Sequence, residues 1–223
     1  MTVAKGLVRS SRRFLRQLGP GQLPRPAVSR EHPSVNSTAQ QIERAFAEAG
    51  ITGLPAGAHD QFLAYLGLLL HWNARLSLTA IREPEQIIDR HFVECAFAAQ
   101  HLPAGIDSLL DYGSGAGFPG IPIAICRPEI RVMLAESQGK KGSFLREAIR
   151  AVGTASEVFD GRVEALPQGQ RFHAVSLRAV EKMELAIPVA LQRVERYLVL
   201  LISEANAPES FTERGMQVSS ISA

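Results

Sequence analysis

The chain has 223 residues, of which 46% are hydrophobic and 21% charged. That balance fits one globular domain, or one with a small helical extension, and excludes wholesale disorder. Two cysteines, Cys95 and Cys126, exclude a disulfide framework and a cysteine-based zinc cluster; both read as buried thiols in a reducing compartment. The longest apolar run, residues 63–70, is far shorter than the roughly 18 residues a membrane span requires. The expectation is therefore a soluble, cytoplasmic protein with neither a membrane nor a metal partner, and a monomer. The net charge of +2 is uneven: residues 1–37 carry seven basic residues against Glu31 alone, and the remainder has 17 basic and 21 acidic residues. Bulk charge does not mark the folded part as a nucleic-acid binder, so RNA contacts must come from local patches or from the basic arm.

In chain order, residues 1–37 mix Arg with Gly, Pro and Ser and read as a disordered or loosely helical arm. An RNA-contacting arm, a transit-peptide-like segment and an upstream start codon are the other readings. Residues 38–104 form a helical cap. Thr38 starts a short helix that stops at Gly50, a second helix begins near Asp60 with Phe62, Leu66 and Leu69 on its apolar face, Ser77-Leu78-Thr79 is a break, and a third begins near Glu83. Trp72 and the 63–70 stripe read as core. From residue 105 to 223 strands and helices alternate: strands over 106–111, 130–135, 156–160, 172–177 and 197–203, with helices near Pro119, over 140–152 and over 181–194. Strict alternation predicts right-handed parallel crossovers, hence an α/β, Rossmann-like doubly wound sheet.

The segment Asp111-Tyr112-Gly113-Ser114-Gly115-Ala116-Gly117 lies between the first of these strands and its helix, where such sheets bind ligands. Glycines there let the backbone turn sharply and approach a ligand closely. Asp111 at the strand end can accept hydrogen bonds or balance a cation. Glu136, just after the next strand, can reach both hydroxyls of a ribose. Together these features describe an S-adenosylmethionine site. A competing parse exists, because Gly115-Ala116-Gly117-Phe118-Pro119-Gly120 also matches the dinucleotide fingerprint. Against it, Gly115 comes late after the strand, Pro119 and Pro122 remove amide donors, and Asp111 would repel a diphosphate. A glycine turn without any ligand is the third reading.

The residues after the fourth strand of the alternation, Ser176-Leu177-Arg178-Ala179-Val180, lack the Asn/Asp-Pro-Pro-aromatic motif of amino methylation. Neither cysteine follows a proline, against a cysteine nucleophile for pyrimidine C5 methylation. No Ser-His-Asp or HExxH arrangement appears. What remains is methylation of an atom with a free lone pair, such as guanine N7, for which positioning and electrostatics are the whole catalytic task.

Ser77-Leu78-Thr79-Ala80-Ile81, Arg90-His91-Phe92, the run from Asp111 through Gly117 to Phe118-Pro119-Gly120-Ile121-Pro122, and Glu136-Ser137-Gln138-Gly139-Lys140-Lys141 together resemble the bacterial 16S rRNA guanine-N7 methyltransferase family, RsmG or GidB. Gly161-Arg162-Val163-Glu164 and Ser176-Leu177-Arg178-Ala179 are similar to its later motifs, so the resemblance covers roughly residues 38–204. It implies a Rossmann-like methyltransferase core with an N-terminal helical extension, S-adenosylmethionine as donor, and one guanine in the decoding-region loop of the 30S subunit's 16S rRNA as target. It further implies that Gly113, Ser114, Gly115 and Gly117 line the methionine and ribose end of the donor, with Asp111 and Phe118 nearby. Glu136 would hold the ribose, Val163 and Glu164 would flank adenine, and Arg178 would lie beside donor and target base. Arg90 and His91 would stand at the cleft as catalytic candidates with Arg178, and Lys140 and Lys141 would face RNA phosphates.

The chain departs from the family pattern at Glu94-Cys95, at Leu177, and at Ser203-Glu204, where a Lys-Gly is usual. Residues 217–222 can form a sixth strand but no antiparallel seventh follows, so an exposed edge is expected. A non-catalytic RNA- or ribosome-binding relative and an NAD(P)-dependent oxidoreductase stand as the alternatives. The plainer reading of Lys140, Lys141, Arg146 and Arg150 is a solvated helix face, and that of His91 a satisfied helix histidine.

Overall fold

In the computed structural model, residues 2–7, 35–180, 182–201 and 217–222 are described. Helix α1 (Val35–Glu48) and α2 (Ala58–Asn73) lead into a short α3 (Pro84–Ile87), a π-helical turn (Ile88–Phe92) and α4 (Val93–Gln100). Strand β1 (Thr2–Leu7) precedes them. The alternation then runs β2 (Ser108–Tyr112), α5 (Gly120–Cys126), β3 (Arg131–Glu136), α6 (Gly139–Val152), β4 (Glu157–Asp160), β5 (Phe172–Arg178), α7 (Met183–Arg193), β6 (Val194–Leu201) and β7 (Gln217–Ser222).

All pairings are parallel, in the order β4-β3-β2-β5-β6-β1-β7. From the central β2 the chain moves outward to β3 and β4, then returns to β5 on the other side. The point where these directions diverge lies between the carboxyl ends of β2 and β5, which is where a doubly wound sheet opens a crevice. Strands buried on both faces read as nearly continuous apolar runs, and Leu109-Leu110-Asp111 and Ala174-Val175-Ser176-Leu177 are buried throughout. The pleat still sorts them: Leu109 joins the core on the cap side, with Phe62, Phe92 and Phe144, whereas Leu110 joins Val175 and Leu198 on the face covered by α7. Every residue of α5 is buried, because this helix is wedged between the sheet and the cap.

Three expectations need correction. The arm over 1–37 is read from composition as disordered or loosely helical, yet Thr2–Leu7 is a strand inserted between β6 and β7; residues 8–34 lie outside the described residues. Among the described residues the sheet therefore has seven strands rather than six, the extra one being Thr2–Leu7; residues 217–222 form a strand as expected, and it runs parallel to β1. Strand β6 (Val194–Leu201) begins earlier than predicted, and its predicted end at Ser203, with Glu204, lies outside the described residues.

Candidate functional site

The turn after β2 is built by hydrogen bonds that use most of its own amides. Ser114 N–H donates to Ala135 O at 3.0 Å, and Gly115 N–H donates to Glu136 Oε2 at 2.9 Å. The amides of Gly117 and Phe118 both donate to Ser114 O (2.6 and 3.2 Å), and that of Gly120 donates to Asp111 Oδ2 at 3.2 Å. Gly113, Gly115 and Gly117 have φ of 70°, 56° and 92°, a region that costs L-residues roughly 1–2 kcal/mol. The glycines differ in what they face. A Cβ on Gly117 would meet Tyr65 Oη at 2.8 Å, and one on Gly120 would meet Asp111 Oδ2 at 2.8 Å and the side chain of Leu134. A Cβ on Gly115 would meet nothing nearer than Gly113 O at 3.8 Å, so Gly115 borders open space.

Asp111 is 1% exposed, and both its carboxylate oxygens are committed, one to Gly120 N–H and the other to Ser176 Oγ–H at 2.8 Å. Burial pushes its pKa up to about 6 against these hydrogen bonds. The carboxylate thus ties β2, β5 and the start of α5 together, and is not presented as a free anion to a ligand. Glu136, also buried, accepts from Gly115 N–H and from Gln138 N–H at 2.8 Å, so it stands at the lip of the glycine turn. Gly161 N–H donates to Glu136 O at 3.0 Å, bringing the end of β4 alongside. Beyond it a single 3-10 turn (Val163–Ala165) buries Val163 and leaves Glu164 exposed near the Tyr112 hydroxyl, whose pKa burial raises first and Glu164 second.

Opposite the turn stands a second cluster. Arg178, at the end of β5, pairs with Glu94 Oε2 through Nη2 at 2.6 Å and Nε at 3.2 Å. Nη2 also lies 2.9 Å from His91 Nδ1 and 3.2 Å from Arg90 O. Arginine only donates, so His91 Nδ1 must be the unprotonated nitrogen. The proton therefore sits on Nε2, which donates to Thr79 Oγ at 3.0 Å. Burial, and then the Arg178 charge, lower the His91 pKa to about 4, so the ring is neutral. Phe118 lies beneath this cluster, 4.7 Å from the His91 ring and 5.7 Å from the guanidinium carbon. Arg90 contributes only its carbonyl, and its side chain is exposed.

The structure therefore gathers Gly113, Ser114, Gly115, Gly117, Phe118, Glu136, His91 and Arg178 around one crevice. Val163 and Glu164 flank it, and Lys140 (exposed) and Lys141 (half-buried) stand apart at the start of α6. Cys95 and Cys126 are buried free thiols, with the Cys126 pKa pushed up to about 12 by burial and that of Cys95 raised further, so neither serves as a nucleophile. Among the described residues no helix is long and apolar enough to cross a membrane.

Sequence reasoning missed several residues. Tyr65, fully buried in the α2 stripe, donates its hydroxyl to Ala116 O and stacks on Phe92. Buried tyrosine hydroxyls need a partner, and that was the available signal. Asn73 Oδ1 accepts from Leu78 N–H (2.9 Å) and Thr79 N–H (3.1 Å), which shapes the break and presents Thr79 to His91. Glu94, noted only as a departure, is the partner of Arg178. Arg146 is paired with Asp160 rather than simply solvated.

A family model described as "GidB: rRNA small subunit methyltransferase G" matches residues 58–219. The chain is 39% identical over 154 residues to the ribosomal RNA small subunit methyltransferase G of Stenotrophomonas maltophilia (strain K279a), covering 69% of this chain and 70% of that protein. It is 40% identical over 155 residues to the protein of the same name from Methylobacillus flagellatus, covering 69% and 73%. Among solved structures, an O-methyltransferase from Bacillus cereus in complex with SAH superposes with a TM-score of 0.46 at 19% identity, covering 59% of this chain and 62% of that one. The doubly wound parallel sheet is the Rossmann-like fold that the alternation predicts, and the chain belongs to the GidB family, the rRNA small subunit methyltransferases G.

Proposed function

We propose that the chain transfers a methyl group to N7 of a guanine in small-subunit ribosomal RNA. The carrying observation is the state of the glycine turn: five of its amides are already donated inside the protein, so little N–H capacity is left for the diphosphate of a dinucleotide. Open space beside Gly115 and an acid at the lip suit a cationic nucleoside instead. S-adenosylmethionine, when bound, supplies an electrophilic methyl group. Glu136 holds its ribose, the turn from Gly113 to Gly117 lies along its methionine end, and Val163 and Glu164 flank its adenine. Guanine N7 carries a lone pair at neutral pH and needs no base, which agrees with a His91 whose two nitrogens are both committed. Arg178 keeps Nη1 without a partner among the described residues, and in this reading it donates to the target base while His91 and Glu94 hold it in place. Arg90 stands at the rim, and Lys140 and Lys141 meet RNA phosphate.

The test combines calorimetry with S-adenosylmethionine and transfer of labelled methyl to undermethylated small subunits, followed by mapping of the base. Wild type should bind and transfer. Gly115→Val should stay folded, at a cost of about 1–2 kcal/mol for its left-handed backbone, and lose donor binding by intrusion into the pocket. Arg178→Ala should keep donor binding and lose transfer. Donor binding without any transfer by wild type would favour the non-catalytic reading, and a fluorescence response to NAD(P)H without donor binding would favour the oxidoreductase.

A further inference from the structure

We propose that the groove between the carboxyl end of α2 and the first turns of α6 is a single-stranded RNA-binding surface with Trp72 as its stacking platform. This deepens the methyltransferase reading and rests on an RNA substrate. The groove is a cavity of about 540 Å³ walled by Trp72 and Leu76 and rimmed by Arg75, Lys140 and Ser143. Neither Arg75 nor Lys140 has a carboxylate within 4.0 Å among the described residues. Arg75 instead donates from Nη1 to His71 Nε2 at 3.3 Å, which leaves its charge unneutralised. The one acid in the groove, Glu147, accepts from Trp72 Nε1–H at 3.1 Å and so is turned to the indole.

That bond, with an edge contact to Phe144 at 5.8 Å, holds the half-buried indole rigid at the margin of the core. Trp72 reads from its stripe as core, and this placement corrects that. An ordered aromatic between unpaired cations is the chemistry of single-stranded nucleic acid: bases stack on the ring and phosphates meet the cations. Both walls lie a few residues along the chain from the crevice. Leu76 precedes Thr79, which holds His91, and Lys140 follows Glu136 by four residues. A strand in the groove would thus pass beside the site where its guanine is turned in.

Trp72 is the only tryptophan of the chain, so its fluorescence reports the groove directly. The experiment titrates the full chain with a fluorescein-labelled RNA stem-loop carrying a guanine in its single-stranded loop. Anisotropy, tryptophan emission and salt dependence are read together, with poly-glutamate as the acidic control. The expected result is quenching of Trp72 in step with anisotropy. Arg75→Glu and Lys140→Glu should each weaken binding and lower the salt slope by about 1, with S-adenosylmethionine binding by calorimetry unchanged. Unquenched Trp72 while RNA binds, equal affinity in the two variants, no RNA binding at all, or equal binding of poly-glutamate would each overturn the proposal. Loss of donor binding by wild type would instead sink the methyltransferase reading, because the groove is judged by its own emission.

Discussion

His91 and Asp111 are buried titratable groups on opposite walls of the crevice, and they respond to acid in opposite directions. Folding lowers the His91 pKa from 6.5 to about 4. Below pH 6.5 the unfolded chain then takes up a proton that the folded one refuses, and stability is lost as pH falls toward 4. Folding raises the Asp111 pKa from 3.8 to about 6, so the folded chain holds the extra proton in that window and gains stability as pH falls through it. Each shift corresponds to about 3 kcal/mol at most, and the two largely offset each other between pH 6 and 4. Replacing His91→Asn removes one limb. Urea unfolding at a series of pH values should show the wild-type advantage over this variant shrinking by up to about 3 kcal/mol from pH 7 to pH 4; a gap that stays constant would mean His91 is not held neutral. The histidine was visible in the sequence as part of an Arg-His pair, but its neutrality was not, because that depends first on burial and then on Arg178, which lies 87 residues away.

At the scale of elements, the glycine turn and the 77–81 break are fitted to their surroundings by different means. Gly120 opens α5 against Asp111 and Leu134, and an added methyl has no place to go. Gly120→Ala should cost about 1–3 kcal/mol, or more because two partners must move, and thermal unfolding would show it as a lower midpoint. Asn73 does the corresponding work for the break. Asn73→Ala would leave the Thr79 amide without its acceptor and the Leu78 amide with only Leu76 O at 2.7 Å, a loss of about 1–3 kcal/mol, and would loosen Thr79 under His91. If Arg178 depends on that support, methyl transfer should fall in Asn73→Ala more than donor affinity does. The glycine turn was legible because its demands are local: positive φ and absent Cβ leave glycine as the residue of choice. The break looked like a plain interruption between helices, since nothing in Ser77-Leu78-Thr79 shows that Asn73 reaches back to hold it.

Across the whole molecule, the cap and the sheet share one apolar core that runs from Ile42 and Phe62 through Phe92 to Leu109, Leu134 and Val199. Phe92 is its hinge of contacts, with ring centroids 5.0 Å from Phe62, 5.5 Å from Tyr65 and 6.1 Å from Phe118. The cap over 38–104 and the core beyond it are thus proposed to unfold as one unit. Phe92→Ala should cost about 3–5 kcal/mol, and its far-ultraviolet circular dichroism and Trp72 emission should move in a single coincident transition. Separate midpoints for the two signals would show an independent cap.

Alternating apolar runs, helix stops and the spacing of glycines act over a few residues, so the α/β layering, the crevice position and the acid at Glu136 could be read directly from the chain. Packing alone settled the rest. Thr79, His91, Glu94 and Arg178 meet only because the cap folds over the end of β5, and Tyr65 finds Ala116 only across that same interface. Asp111 could be recognised as a strand-final acid, but its commitment to Ser176 and Gly120 exists only once β2, β5 and α5 are assembled. The strand at Thr2–Leu7 is a further case: a basic, glycine-containing segment carries no strong strand signal of its own, and it pairs because β6 offers it an open edge.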